Sequence, residues 1–305
     1  MNRADKGREQ LESAILNFPG MVPDTIDLSA FMSEEVIHKV KSAKAYQDRL
    51  IELITGGGEQ GTAMPWASTK GKFVFRPSEL TVWSGYKGHA KSLVASQVFE
   101  YFISNGQKVF IISPEFPAVR VLHRKMIQSL GLKNTTKENA IQWLDAVDGN
   151  LWIYDQQGSL KHADVPALCR YAVERLGVDH ILIDSLMKCG MAPDDYASQK
   201  RLVDQVQHVA HKSNVHIHLV AHARKGNSDE KIGGLHDVKG SSEIADMAEN
   251  VIIVWRNKEK EQSGGKMDEP DCIVKVEAQR NGDGWIGTIP LFFRRESFTF
   301  HESAI

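Results

Sequence analysis

Residues 79–92, which read ELTVWSGYKGHAKS, decide the fold of this chain. The apolar and β-branched run at 79–84 predicts a strand, and we predict a helix from Ala90 to about Ser104. The turn between them has the spacing GxxxxGK[ST], apart from alanine at the second glycine position. In a strand-turn-helix context this spacing is typical of a loop that binds nucleotide phosphates. The alternative is an ordinary strand-to-helix turn with an incidental lysine and serine.

The predicted phosphate loop supplies each group that a nucleotide needs. Backbone N–H groups of a glycine-containing loop bind anions at a helix N-terminus. We expect Lys91 to reach the β- and γ-phosphates and the Ser92 hydroxyl to bind Mg²⁺. The cofactors are therefore expected to be ATP, or another nucleoside triphosphate, and Mg²⁺. The expected nucleotide-binding residues are Gly85, Tyr86, Lys87, Gly88, His89, Ala90, Lys91 and Ser92.

Ala90 departs from the glycine of the pattern. We expect this position to be near-helical already, so that a methyl group fits without blocking the phosphates. Weaker nucleotide binding is the alternative.

Two carboxylates are expected at the same sheet edge as the loop. Asp184 ends the apolar run at 180–184, where α/β sheets bind ligands, and we expect it to hold Mg²⁺ with Ser92. Glu115 follows the run at 108–113 and is a candidate to orient and deprotonate the water that attacks the γ-phosphate. The alternatives are a strand-terminal aspartate in a turn and an exposed loop glutamate.

Apolar β-rich runs alternate with helical stretches beyond Glu79, which predicts an α/β fold with a mostly parallel sheet covered by helices on both faces. Further strands are predicted at 151–155, 216–221, 250–255 and 272–278, followed by a terminal β pair through Phe298. Further helices are predicted before Gly177, at about 197–214 and around 244–248.

The N-terminal segment differs in composition from the rest. We predict a helix that begins at Ser33, continues through Leu50 and ends at the three glycines 56–58. Glycines and prolines between these and Pro77 predict a linker. The expected division is a helical and linker segment at 1–60 and the main ATPase domain at 61–305.

Bulk composition limits the function classes. Among 305 residues, 42% are apolar, 25% are charged and the formal net charge is -2, so any nucleic-acid binding must come from local basic clusters. Three widely spaced cysteines without a CxxC pair favour a reducing cytoplasm over a disulfide framework or structural zinc site. No apolar run has membrane-spanning length and the charged N-terminus does not resemble a secretion signal, so we expect a cytoplasmic protein without membrane partners.

Six blocks in order resemble the hexameric replicative DNA helicases, which include DnaB, bacteriophage primase-helicases and the mitochondrial helicase Twinkle. The resemblance runs from about Pro65 to Phe300. The blocks are FRPSELTVWSGYKGHAKS, FIISPEFP, HILIDSLM, HLVAHARK, DVKGSSEIADMAENVIIVWRN and EAQRNGDGWIGTIPLFF. The resemblance implies a RecA-like core with a twisted sheet, and a ring in which each ATP lies between two subunits.

Several side chains receive roles from this resemblance. Glu115 matches the catalytic glutamate, and His222 matches the position that senses the γ-phosphate and signals to DNA-contacting loops. Arg280 matches the arginine finger that reaches the neighbouring subunit's nucleotide. From the residues alone, His222 is a polar strand terminus and Arg280 precedes an Asn-Gly turn. Ala278 stands where bacterial members usually carry a lysine, so the neighbour's contribution is expected to be smaller or differently arranged.

The segment 223–242 combines basic residues with glycine, serine and asparagine, and its counterpart in the family lines the central channel. We expect Arg224, Lys225, Lys231 and Lys239 to contact single-stranded DNA phosphates. A solvated surface loop is the alternative. Lys188, after the run at 180–184, is a second basic candidate.

His216, His218 and His222 suggest a metal site on one strand. We reject that interpretation because no carboxylate or cysteine completes a set at ligand spacing.

The sequence thus predicts an ATP-dependent replicative DNA helicase that forms a hexameric ring, translocates on single-stranded DNA and unwinds duplex, with a primase or polymerase as further partners. Nothing resembling a primase or zinc-binding domain precedes the motor, so we expect a helicase-only protein or part of a longer one, in the host cytoplasm if it is phage-encoded. The N-terminal helix is expected to dock on a neighbouring protomer. The alternatives are a RecA-type recombination or repair ATPase that forms DNA filaments, and a nucleotide-gated assembly protein that needs no DNA.

Overall fold

The computed structural model describes residues 41–55, 61–192, 194–223, 232, 234, 242–263 and 268–304. The chain divides between Gly58 and Glu59 into two compact units. In the first unit, a 3₁₀ turn at Ala43–Tyr46 leads into helix α1, Gln47–Thr55.

The predicted N-terminal helix is wrong where it crosses Ser42. Ser42 has extended backbone, with φ -67° and ψ 154°, immediately before the 3₁₀ turn. Serine favours such positions because its hydroxyl competes for backbone groups within a helix. The predicted helix start at Ser33 lies outside the described residues.

The described part of the second unit contains eleven strands and seven further α-helices. The strands are β1 Thr62–Ala63, β2 Val74–Phe75, β3 Leu80–Ser84, β4 Val109–Ile112, β5 Leu151–Tyr154, β6 His180–Asp184, β7 His216–Val220, β8 Asn250–Arg256, β9 Cys272–Gln279, β10 Gly287–Arg294 and β11 Thr299–His301. The α-helices are α2 Lys91–Ser104, α3 Ala118–Leu130, α4 Lys137–Val147, α5 Asp164–Tyr171, α6 Tyr196–Ser213, α7 Ser242–Met247 and α8 Lys258–Ser263.

A sheet of nine described strands organises this unit, in the order β11-β10-β9-β8-β3-β7-β6-β4-β5. The strands from β8 to β5 are parallel to one another, and β9, β10 and β11 each pair antiparallel with their neighbour. The predicted mostly parallel sheet with flanking helices is therefore confirmed. β3 is the fifth of the nine described strands in this order, so the quoted stretch places its turn at the centre of the sheet edge.

Alternating strand residues divide the core into two layers. Val82 and Ile183 pack on the face covered by α5, α6 and α7. Trp83 and Leu182 pack on the opposite face, against the aromatic residues of α2. Because successive side chains in a strand point to opposite faces, continuous apolar runs are the pattern that a sheet covered on both sides requires.

The predicted linker is wrong over its described part. Met64, Trp66, Phe73 and Phe75 are each at most 3% exposed and belong to the second core layer. The indole N–H of Trp66 also donates to the carbonyl oxygen of Phe300, 3.0 Å away. Burial of large apolar side chains outweighs the glycines and prolines that suggested a linker.

The structure adds elements between and after the predicted ones. Helices α3 and α4 occupy the interval between β4 and β5, and α8 follows β8. The terminal pair is β10 with β11 and ends at His301, beyond the predicted limit. Phe298 lies in the turn between them with φ +53°.

Candidate nucleotide site

The carboxyl ends of β3, β4, β6 and β7 meet at one edge of the sheet, because these strands are parallel neighbours. The phosphate loop follows β3, Glu115 follows β4, Asp184 ends β6 and His222 follows β7. In open α/β sheets this edge is where ligands bind. The fold therefore brings together in space four segments that are far apart in sequence.

The phosphate loop lies directly on the end of β8. A Cβ atom at Gly85 would come within 2.2 Å of the carbonyl oxygen of Val254, so only glycine fits there. Gly88, with φ +80°, turns the chain back toward α2. The loop backbone thereby reaches the N-terminus of α2, where unpaired N–H groups favour anions.

Lys91 is the first residue of α2 and is 5% exposed. Its ammonium group donates to the carbonyl oxygens of Gly85 and Tyr86, at 2.7 and 2.9 Å. Burial lowers the pKa of Lys91 to about 8, although Asp184 and Glu115 oppose the shift. A desolvated ammonium group held inside the loop is suited to a phosphate oxygen, which gives it a full opposite charge.

Ala90 does not have the near-helical conformation expected from the sequence. Its φ of +62° and ψ of 15° lie in the left-handed region, at the N-cap position of α2. A Cβ atom makes this conformation unfavourable by roughly 1 kcal/mol. The glycine of the sequence pattern therefore has a conformational reason, and Ala90 carries a local cost.

Asp184 is 5% exposed at the end of β6. Burial raises the pKa of its carboxyl group to about 6, a hydrogen bond from Ser92 lowers it, and the nearby Glu115 raises it further. A buried carboxylate beside a serine hydroxyl and a second carboxylate is a set of oxygen ligands that fits Mg²⁺. The chemistry of these side chains thus fits the expected cofactor.

Glu115 is connected to the same group of residues through Ser185. The Ser185 hydroxyl donates to a carboxylate oxygen of Glu115 at 3.0 Å. This contact fixes the side chain that follows β4 next to the end of β6. Sequence reasoning missed Ser185, since only the pairing of β4 with β6 brings it there.

His222 lies beside the start of the phosphate loop. Its neighbours along the chain bond to that segment, with Ala221 N–H donating to the Trp83 carbonyl at 2.8 Å and Ala223 N–H to the Gly85 carbonyl at 2.9 Å. A movement of the loop would therefore displace the backbone on both sides of His222 through these two hydrogen bonds.

Arg124 on α3 is a second cation that sequence reasoning missed. It lines a small pocket together with Ser92, Phe116 and Asp184. Its guanidinium group lies 5.0 Å from the ring centroid of Phe116. Burial lowers the pKa of Arg124, and Asp184 opposes that shift. Arg124 stands nine residues after Glu115 in the sequence. That spacing indicates a place near the site only if residues 118–130 are known to form a helix.

Arg280 lies at the opposite edge of the sheet. Its N–H donates to the carbonyl oxygen of Glu249 at 2.8 Å, and the Glu249 N–H donates to the carbonyl oxygen of Leu80 at the beginning of β3. The exposed Arg280 is thus near the amino end of the strand whose carboxyl end carries the phosphate loop. Within one subunit the two groups are separated by the length of β3.

The expected DNA-contacting residues Arg224, Lys225, Lys231 and Lys239 lie outside the described residues. Lys188 ends a 3₁₀ turn at Leu186–Lys188, directly after β6 and Ser185. Its backbone carbonyl accepts the N–H of Leu160 at 2.8 Å.

The histidines of β7 belong to the interior rather than to the site. His216 contacts the Thr81 hydroxyl and the Arg76 carbonyl, whereas His218 contacts the Trp83 indole and His180. Burial lowers the pKa of all three buried imidazoles, His180, His216 and His218. Their ring nitrogens form hydrogen bonds within the core, whereas His222 lies beyond the end of β7.

Comparison with known proteins agrees with this fold. A family model described as an AAA domain matches residues 70–228. The Twinkle homolog protein, chloroplastic/mitochondrial, of Arabidopsis thaliana is 24% identical over 285 residues, which cover 86% of this chain and 38% of that protein. This chain therefore spans well under half the length of that curated relative.

Two solved structures have the same fold. A DnaB-like replicative helicase, whose structure was solved with its interactions with primase, aligns with a TM-score of 0.69 at 14% identity over 97% of this chain and 76% of that chain. A second structure, of an ATPase domain, aligns with a TM-score of 0.71 at 15% identity over 86% of this chain and 99% of that chain. The RecA-like architecture and the resemblance to DnaB-like and Twinkle-like motors are confirmed. In the described part of the chain, no helix has both the length and the apolar character for crossing a membrane.

Proposed function

The chain belongs to the AAA domain family, and on that premise we propose that it is an ATP-dependent DNA helicase motor, which assembles as a ring on single-stranded DNA and unwinds duplex. The observation that carries the proposal is the meeting of Lys91, Asp184 and Glu115 at one sheet edge. These are the groups that nucleoside triphosphate hydrolysis needs: a cation for the phosphates, a metal ligand and a base.

Each group has a distinct task in the proposed reaction. Lys91 exchanges its two loop carbonyls for oxygens of the β- and γ-phosphates. Ser92 and Asp184 would hold Mg²⁺, which would supply positive charge at the phosphates. Glu115, oriented by Ser185, accepts a proton from the attacking water. Because the loop and the buried carboxylate are already in place, little reorganisation precedes the chemistry.

Arg280 completes the site of a neighbouring subunit in this proposal. Its position at the amino end of β3 and β8 keeps it away from its own phosphate loop. An arginine supplied in trans stabilises the charge that develops on the transferred phosphoryl group. Hydrolysis is thus expected to require assembly, and a ring satisfies every interface with the same contact.

Helix α1 supplies a second surface for assembly. Leu50, Ile51 and Ile54 are 48% to 70% exposed, and three further large apolar side chains, Leu132, Ile141 and Leu144, are 46% to 52% exposed in the second unit. Exposed apolar groups in such numbers are typical of protein contacts. We propose that α1 of one copy docks on a neighbouring copy. The division into a segment at 1–60 and a motor at 61–305 fits this arrangement.

Unwinding of a forked DNA duplex tests the proposal directly. We expect the full chain with ATP and Mg²⁺ to separate the strands, and Lys91→Ala to abolish separation because the phosphates lose their cation. DNA-stimulated ATP hydrolysis is measured in parallel. Filament formation and strand exchange without unwinding would instead indicate a recombination ATPase. Hydrolysis that ignores single-stranded DNA would indicate a nucleotide-gated assembly protein.

Salt dependence tests the proposed DNA contacts. If Lys231 and Lys239 contact phosphates, alanine at either position weakens binding of single-stranded DNA and makes the dependence of affinity on salt less steep, since fewer counterions are released. Lys133→Ala, which changes an exposed lysine on α3's C-terminal side, is the control. An unchanged salt slope in the two lysine variants would show that these lysines do not contact DNA.

A primase or polymerase partner and a cytoplasmic location remain predictions.

A further inference from the structure

His89 is the fifth residue of the phosphate loop, and its side chain is fully buried. Its ring packs edge-on against Tyr86, with centroids 5.5 Å apart, and lies 6.5 Å from the ring of Trp255 at the end of β8. Its backbone N–H donates to the Tyr86 carbonyl at 3.2 Å. The imidazole therefore fills the space between the loop and the last residues of β8.

A polar contact to the end of β8 orients this ring. The backbone N–H of Arg256 donates to Nδ1 of His89 at 3.1 Å. Since an N–H group can only donate, Nδ1 must be the unprotonated nitrogen and the ring is neutral with its proton on Nε2. The amide of Arg256 is the last of β8, and the imidazole takes the place of a further strand partner.

We propose that His89 is a positioning residue that ties the phosphate loop to the end of β8 and keeps the loop in its nucleotide-binding shape. This inference rests on the proposed nucleotide site and adds to it a side chain that acts through the shape of the loop. The loop also contacts β8 where Gly85 closely approaches Val254. Two positions of the loop, Gly85 and His89, therefore contact the same strand.

The physical reason for a tie lies in the exchange that Lys91 undergoes. When Lys91 moves to the phosphates, the carbonyls of Gly85 and Tyr86 lose the ammonium group that bridges them. Gly85 keeps its bond from Ala223, and Tyr86 keeps its bond from the His89 N–H. With the His89 ring held by Arg256, the loop does not have to reorganise as the lysine leaves. Binding energy is then not spent on ordering the loop.

The end of β8 is itself well fixed, as an anchor must be. The backbone of Arg256 pairs with Cys272 of β9, and the N–H of Asn257 donates to the carbonyl oxygen of Asp271 at 2.9 Å, so the strand end is fixed without the exposed side-chain pair of Arg256 and Glu261. The tie is therefore made to a rigid part of the sheet rather than to another loop.

Calorimetric titration of the full chain with Mg²⁺ and a non-hydrolysable ATP analogue tests this inference. His89→Leu keeps an apolar side chain but leaves the Arg256 N–H without an acceptor, and we expect about a tenfold weaker affinity. His89→Asn restores an acceptor near the position of Nδ1, and we expect affinity within about threefold of the wild type. Glu261→Gln, which changes only the side-chain pair of Arg256, is the control and should bind as the wild type does.

At saturating ATP, the kcat of His89→Leu is expected to stay within about threefold of the wild-type kcat, because the substitution weakens nucleotide binding and leaves the chemical step unchanged.

Hydrogen exchange of the Arg256 amide gives a readout that is independent of nucleotide. Protection is expected to fall in His89→Leu and to be kept in His89→Asn. Equal affinity of the wild type and His89→Leu, or equal protection of the Arg256 amide in both, would overturn the inference while the nucleotide site stands. Equally weakened affinity in His89→Leu and His89→Asn would also overturn it. If the wild type binds no nucleotide, the proposed function fails and this inference with it.

Discussion

At the scale of single residues, the phosphate loop combines one unfavourable backbone conformation with a set of groups that need a ligand. Ala90 has a left-handed φ of +62°, and Lys91 is buried against loop carbonyls that carry only partial charges. Both features lie where the loop enters α2. They explain why nucleotide binding is expected to be sensitive to changes of one methyl group or one hydrogen bond.

Ala90→Gly is expected to improve the loop. Removing Cβ relieves a cost of roughly 1 kcal/mol, partly offset by the greater freedom of glycine in the unfolded chain. We expect a net gain of about 0.5 kcal/mol in the free energy of unfolding and an affinity for Mg²⁺-ATP about threefold higher. Denaturant titration and calorimetry measure the two effects. Ala95→Gly, the same change inside α2, is expected to destabilise by about 1 kcal/mol or more. Destabilisation of both variants would show that Ala90 is not under strain.

Arg124→Gln is expected to lower kcat for ATP hydrolysis by about tenfold, because it removes a positive charge from the pocket that contains Ser92 and Asp184. Arg120→Gln is the matched control, since Arg120 is exposed on the same helix. Steady-state hydrolysis and thermal melting of both variants separate catalysis from stability. Equal kcat in the two variants would show that Arg124 is only a surface cation near the pocket.

At the scale of elements, β6 and β7 carry a hydrogen-bonded set of neutral imidazoles. Trp83 Nε1–H donates to His218, which therefore donates to His180, and His180 in turn donates to the Thr62 hydroxyl at 3.0 Å. Strand β1 is thereby held to the sheet. Protonation of either imidazole would convert its acceptor nitrogen into a donor. The hydrogen bond to that nitrogen would then be lost.

These histidines predict acid sensitivity. Their pKa in the folded chain lies below 6.5, and is about 3 for His216. Below pH 6.5 these rings therefore bind more protons in the unfolded chain than in the folded chain. Their contribution to stability is full above pH 6.5 and is lost as the pH falls below it; for His216 the loss continues to about pH 3, at about 1.4 kcal/mol per pH unit. Asp184 and Glu100 have raised pKa values and act in the opposite direction.

His180→Gln isolates the effect of one ring. Between about pH 6 and pH 4 we expect the free energy of unfolding to fall less steeply with decreasing pH in this variant than in the wild type, because one fewer ring takes up a proton on unfolding. Denaturant unfolding at a series of pH values measures the two slopes. His123→Gln, which removes an exposed imidazole, should retain the wild-type slope. Identical slopes for His180→Gln and the wild type would contradict the assignment of a neutral buried ring.

Short buried strands could be predicted from the sequence, including β7 with its two buried histidines, whereas helices α3 and α4 could not. β3, β6 and β7 are five-residue buried runs and were predicted almost to the residue. Helix α3 was missed because its buried face carries Lys125 and Gln128, whose polar groups bond to backbone carbonyls of α2. Val119 on the same helix is 76% exposed, whereas Met126 and Ile127 are buried, so the apolar residues of the helix do not all lie on its buried face.

The same distinction applies to the site. Lys91, Ser92 and Asp184 follow from local patterns, because the loop and the strand end are each continuous in sequence. Ser185 and His89 acquire their contacts from strand order: Ser185 needs β4 beside β6, and His89 needs β8 beside β3. No spacing along the chain encodes those neighbours.

At the scale of the whole molecule, the proposed function assigns to one copy two halves of different sites. The phosphate loop lies at the carboxyl edge of the sheet and Arg280 at the amino edge. A formal net charge of -2 provides no general attraction to DNA, so repeated local basic segments around a ring are the expected source of binding. Assembly is therefore part of the proposed activity rather than an addition to it.

Mixing two inactive variants tests this claim most directly. Lys91→Ala subunits lack the phosphate cation but retain Arg280, and Arg280→Ala subunits have the reverse defect. Each variant alone is expected to have less than a few per cent of wild-type ATP hydrolysis, because every interface lacks one group. In mixed rings, some interfaces combine an intact loop with an intact arginine, and we expect hydrolysis to recover to roughly a quarter of the wild-type rate at equal amounts. No recovery in assemblies shown by native mass spectrometry to contain both variants would contradict a site completed by an adjacent copy.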